Sequence, residues 1–187
     1  MWRESKAAKW ALAWRKGTIG VVLALAVAVS APSAERMGDR LQIALPLLGL
    51  GCAVLTGGAG EYLLRFATLE VIVRGSKIGL GDAALNQRPR GGIQGFPSGH
   101  TAAASFGASA LVQECLTRSP FVQGVVIFAA AFTGTSRVEA RAHNIWQVLA
   151  GALVGWSTER VLRRNTPMRQ RIVARCRQLF RRRRDGL

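Results

Sequence analysis

The charges of this chain stop where its apolar runs begin, and no other feature restricts its fold as strongly. Of its 26 lysines and arginines, five fall within residues 1–16 (Arg3, Lys6, Lys9, Arg15, Lys16) and eleven between Arg160 and Arg184. Gly17 to Ala34 is 18 residues without a charge, and Leu41 to Gly60 is 20. A net charge of +16 is compatible with a nucleic-acid binder. Here, however, the basic blocks flank apolar runs, as they do where Lys and Arg hold the ends of membrane spans on the cytoplasmic side. A nucleic-acid partner is therefore not expected.

Six apolar runs follow in order. The first, Gly17 to Ala34, is long enough for a short span. Its basic start and its Ser-Ala-Pro-Ser-Ala end also resemble a cleavable signal peptide, but the basic region is long for one. The second is Leu41 to Gly60. The third, Glu61 to Leu80, carries Glu61, Arg65, Glu70, Arg74 and Lys77. Charges inside a span are costly and face partners or a wet interior. Glu61/Arg65 and Glu70/Arg74 have the i,i+4 spacing that pairs opposite charges on one helix face, which leaves Lys77 as the candidate for function. Gly81 to Pro97 is a Gly- and Pro-punctuated loop. The fourth run opens at Ser98, whose hydroxyl suits a helix cap; Ala103, Ala104, Gly107 and Ala110 suit close helix packing. The fifth is Phe121 to Thr135. The sixth is His143 to Thr158, with Gly151 and Gly155 four apart. Cys52, Cys115 and Cys176 are an odd number with no metal-ligand spacing, and read as packing residues.

The expected fold is an all-α, six-transmembrane-helix bundle. Residues 1–16 form a basic interfacial segment with Trp2, Trp10 and Trp14. Residues 17–162 are the membrane domain and 163–187 a basic cytoplasmic tail. With both ends inside, the loops 81–97 and 136–142 fall on the same, outer side.

That placement matters because the chain has only two histidines, His100 and His143, each at the junction of one of those loops with an apolar run. Arg88 and Arg90 precede the first and Arg137 the second. Phosphoryl transfer needs fixed positive donors around the phosphate oxygens and a nucleophile in line with the leaving group. Planar guanidiniums suit the first requirement, and a helix start at Ser98-Gly99 offers backbone amides to an anion. One imidazole can attack phosphorus and the other protonate the leaving oxygen. No cluster with metal-ligand spacing accompanies them, so neither metal nor cofactor is expected.

These residues resemble a known family. Arg88-Pro89, Pro97-Ser98-Gly99-His100 and Ser136-Arg137 followed after five residues by His143 are similar to the three signature motifs of the type 2 phosphatidic acid phosphatase superfamily, membrane lipid phosphatases of six helices. The resemblance implies that His143 is the nucleophile, forming a phosphohistidine, and His100 the general acid. It implies that Arg88, Arg137, Ser98, Gly99 and Lys77 hold the phosphate. The chain departs from the family pattern twice. The family lysine lies seven residues before the Arg of Arg-Pro, where this chain has Gly81 and the nearest upstream lysine is Lys77. Four residues after His143 the family has an Asp that orients the imidazole; this chain has Gln147, which can accept the hydrogen bond without supplying charge. In the serine-protease template, losing the charge at the equivalent position costs about 10⁴ in rate. Glu139 would compensate if the last helix began early.

The expected activity is hydrolysis of a lipid phosphate or diphosphate (polyprenyl diphosphate, phosphatidylglycerol phosphate, phosphatidate or lipid A) at the outer face of a bacterial-type inner membrane. Loops this short favour a lipid reaching the site sideways between helices. Two alternatives stand beside it: an impaired relative that binds phospholipid or scaffolds membrane partners, and a lipid phosphotransferase.

Overall fold

The computed structural model describes residues 17–21 and 33–163, with 166, 167, 170, 171 and 174 beyond. The described part is helical, without strands. It comprises α1 (Ala34–Leu55), α2 (Ala59–Leu80), a 3₁₀ turn (Ala84–Asn86), α3 (Gly99–Glu114), α4 (Pro120–Glu139) and α5 (Ile145–Val161). The last five apolar runs of the sequence each form one of these helices. Residues 17–21 of the first run are helical; the rest of that run, the basic start and most of the basic tail lie outside the described residues. α1 and α4 are long and apolar enough to cross a membrane, by length and composition.

The helices run up and down. α1, α3 and α5 begin at one end of the bundle, and α2 and α4 finish there. α3 is central and packs on α1, α4 and α5. Its close approach depends on residues without bulk. A Cβ on Gly107 would collide with the backbone of Leu45 and Pro46, and one on Gly151 or Gly155 with the carbonyl oxygens of Ser98 and Ala102. These are the small-residue seams expected from the sequence. Tyr62 fills the space over Gly49 and donates to the carbonyl of Pro46 at 2.7 Å. Phe66 and Phe106 meet edge-to-face at a centroid distance of 5.4 Å.

Outward faces are also apolar. Val71, Phe121, Phe128, Trp146 and Leu153 are all more than half exposed, a distribution that water would penalise and hydrocarbon would not.

The polar end opposite the histidines revises one expected pairing. Arg74 and Glu70 do pair along α2 at 3.2 Å on an exposed face. Arg65 does not take a carboxylate from Glu61. Its guanidinium crosses to Glu159 on α5 at 2.8 Å and Glu114 on α3 at 3.1 Å. Arg163 bonds Glu159 at 2.7 Å and Glu114 at 3.1 Å, and Ser109 donates to Glu159 at 2.7 Å. Glu159 is wholly buried. A buried carboxylate needs cationic partners, and Glu159 takes one across the helices from Arg65 and one four residues on from Arg163. The cysteines also need correction. Cys52 and Cys115 are joined in a disulfide between α1 and the end of α3, with Cα atoms 6.1 Å apart. An odd total obscured a pair 63 residues apart in the chain.

Candidate functional site

Up-and-down order brings to one end the residues that the sequence scatters: Asp39 at the start of α1, Lys77 in the last turn of α2, His100 at the start of α3, Arg137 near the end of α4 and His143 just before α5. The loops between them interlock. Arg90 N–H donates to Arg141 O at 3.0 Å and Ser98 N–H to Gln147 O at 2.9 Å. The two loops that topology put on one side are thus in contact.

His143 is buried and held from one side. Its Nδ1 lies 2.9 Å from Gly95 O and 3.2 Å from Gln147 Oε1. Both are acceptors only, so Nδ1 carries the hydrogen and Nε2 the lone pair. Burial pushes the imidazole down to about 4, against the support of Gln147 and Gly95, and the charges of Arg88 and Lys77 push the same way. The ring is neutral at physiological pH, with Nε2 unprotonated.

Gln147 is completely buried. Its Oε1 also accepts from Asn144 N at 3.2 Å, completing a capping box in which Asn144 accepts from Gln147 N at 2.9 Å. Its Nε2 donates to Leu85 O at 2.9 Å and Gln87 O at 2.8 Å. The amide therefore ties the 85–87 turn to the histidine. A Cβ on Gly95 would lie 2.5 Å from Gln147 Nε2, which explains glycine there. α5 starts at Ile145, after His143, so Glu139 at the end of α4 shares no helix with it and does not provide the compensating carboxylate.

His100 has a partner that sequence reading missed. Its Nε2 is 3.1 Å from Asp39 Oδ1. The same carboxylate oxygen accepts from Arg137 Nη1 at 2.8 Å. Arg137 is buried, and the rest of its guanidinium is bound by the Glu35 backbone oxygen and by Ser136 Oγ. Asp39 was legible only as part of a short polar loop. The available signal was that an acid near the start of one span would, by alternation, share an end with both histidines.

The remaining predicted residues fall as follows. Lys77 Nζ is 3.6 Å from where a Cβ on Gly99 would sit, at the start of α3. α2 reaches Leu80, and Asn86 folds back to donate to the carbonyls of Lys77 and Gly81 at 2.9 and 2.7 Å. Arg88 donates through Nη2 to Gln94 O at 3.2 Å, while its buried Nε has no partner. Its charge bears on both Lys77 and His143. Ser98 caps α3, with its Oγ 3.0 Å from Thr101 Oγ1, so its hydroxyl is occupied locally. Among the described residues no three His, Cys, Asp or Glu side chains gather to hold a metal ion.

The PAP2 superfamily model matches residues 70–171, a segment containing Lys77, Arg88, both histidines and Arg137. This chain belongs to the PAP2 superfamily. Asp39 lies before the matched segment, in a part of the chain that the family model does not cover. The Lipid A 1-phosphatase of Porphyromonas gingivalis is 32% identical over 117 residues, which are 62% of this chain and 26% of that protein. The chain thus spans about a quarter of that relative's length. No solved structure matches it. In this chain a carboxylate, Asp39, sits beside His100, while His143 is held by an amide and a carbonyl.

Proposed function

We propose that this PAP2 protein is a membrane-embedded lipid phosphatase, a six-span bundle with its site on the outer face of a bacterial-type inner membrane and both termini cytoplasmic. The observation that carries it is the division of labour between the imidazoles: His143 neutral with Nε2 unprotonated, His100 paired to a carboxylate. Their partners separate the two roles: a carbonyl and an amide hold Nδ1 of His143, and a carboxylate stands at Nε2 of His100. His143 Nε2 attacks phosphorus. The bond from phosphorus to the lipid oxygen breaks, its electron pair leaves with that oxygen, and His100 supplies the proton. Water then attacks the phosphohistidine and gives its proton to His100. The P–N bond breaks and returns its pair to Nε2, releasing phosphate. Arg88, Arg137 and Lys77 balance the phosphate's charge throughout, with the amides at Gly99 beside them, and no metal takes part.

The apolar outward faces and the short loops favour a lipid over a large soluble substrate; phosphatidate, phosphatidylglycerol phosphate, polyprenyl diphosphate and lipid A are the candidates. The test is phosphate release by the detergent-solubilised protein across these lipids in EDTA, beside His143→Ala. Release by wild type and none by the variant supports the reading. One observation favours a second: Gln147 offers no charge to a developing imidazolium, as a family member that binds phospholipid without rapid turnover would have it. Tight lipid phosphate binding with no release by wild type would select that alternative. Formation of a second phosphorylated lipid in place of free phosphate would indicate a phosphotransferase.

A further inference from the structure

The bundle leaves a cleft between α4 and α5. Glycines press α5 onto α3, whereas α4 leans on α1 and α3. Small residues stand among the larger apolar ones facing the gap, notably Ser105 and Ala108 on α3, Ala131 on α4 and Ala152 on α5, and a cavity of about 650 Å³ remains. That volume is in the range of ligand sites.

Its two ends differ. At the upper end stand Thr101, Val138 and Ile145. They follow His100 and Arg137 directly and His143 by two residues, so the upper end of the cleft lies within one helical turn of the histidines, whose side chains do not line it. At the lower end the Arg160 guanidinium stands 5.6 Å over the Trp156 ring, a pairing of residue types found where hydrocarbon meets water. From Ile145 to Arg160 the chain advances 15 residues, about 22 Å of helix. One leaflet's hydrocarbon is about 15 Å deep, half of a ~30 Å core. The cleft is therefore long enough for a full chain of one leaflet. A packed helix, ~10–12 Å across with its side chains, does not fit a slot of this volume.

We propose that this cleft seats one hydrocarbon chain of the substrate, laid between α4 and α5 with its phosphate at His143, and that the protein selects long-chain lipid phosphates through it. The proposal rests on the phosphatase reading for its headgroup and on the cleft for its chain.

The test compares kcat/KM on dioleoyl and dihexanoyl phosphatidate for wild type, Ala131→Phe, Ala152→Phe and the control Val71→Phe, at a site 71% exposed on α2. Both cleft variants lower the long-to-short ratio by about tenfold, the effect of keeping a few methylenes from apolar burial, and the control does not. An unchanged ratio in the cleft variants overturns the proposal. A second measurement needs no turnover. Phosphatidate carrying a diazirine at the chain end is irradiated with wild type and with His143→Ala, and the labelled peptides are mapped. Label concentrated at Val112, Leu153 and Trp156 supports the cleft; label spread evenly, or confined to α1 and α2, overturns it. If no lipid releases phosphate, the phosphatase reading fails by itself and the label still decides the cleft.

Discussion

Gln147 Oε1 lies 3.2 Å from His143 Nδ1, while Gln147 Nε2 is committed to the carbonyls of Leu85 and Gln87. The amide therefore both orients the imidazole and anchors a turn. A carboxylate can do only the first. Gln147→Asp removes two buried donors and faces carbonyl oxygens with charge, so it lowers stability by about 1–3 kcal/mol, measured by denaturation in detergent. Any gain in kcat from the added charge has to be read against that loss. Gln147→Ala loses both functions, and its activity falls below that of Gln147→Asp.

Burial depresses His143 to about 4. A depressed imidazole is neutral in the folded protein and charges more readily when unfolded. Its stabilising contribution is therefore complete above the unfolded value of ~6.5 and is lost as pH falls toward 4. The nucleophile remains available over the same range. The kcat/KM profile accordingly holds its plateau through pH 5 and turns down near pH 4; an acid limb near 6.5 would contradict the assignment.

Asp39 touches both His100 and Arg137. Asp39→Asn keeps the shape and one acceptor but removes the charge that favours an imidazolium. The expected result is a fall in kcat of up to about 10²-fold, within the range of a general acid's contribution, largest on the alkaline side of the profile. KM changes less. A uniform loss across pH would assign Asp39 to structure alone.

Two arginines on α2 separate buried from exposed pairing. Arg65→Met removes the cross-helix cation from the wholly buried Glu159 and from Glu114, leaving Arg163 and Ser109 as partners of Glu159, and costs about 1–3 kcal/mol. Arg74→Met breaks an exposed i,i+4 pair and costs about 0.5 kcal/mol or less. Melting of the two variants in the same detergent checks the difference, and neither changes the His143 pH limb.

By itself the sequence determined the helical segments, the small-residue seams at Gly107, Gly151 and Gly155, the cap at Ser98 and the motifs holding Lys77, Arg88, His100, Arg137 and His143. These are local properties: runs without charge, fixed spacings, and residues too small to keep helices apart. Tertiary structure decided which groups meet. It moved Arg65 from its helical neighbour to Glu159, joined Cys52 to Cys115, set the Gly95 carbonyl rather than Glu139 beside Gln147 at His143, and brought Asp39 to His100. Each of these partners lies on another helix or in a loop folded back on the site, and only the distance between packed elements selects among the chemically equivalent partners that the chain offers.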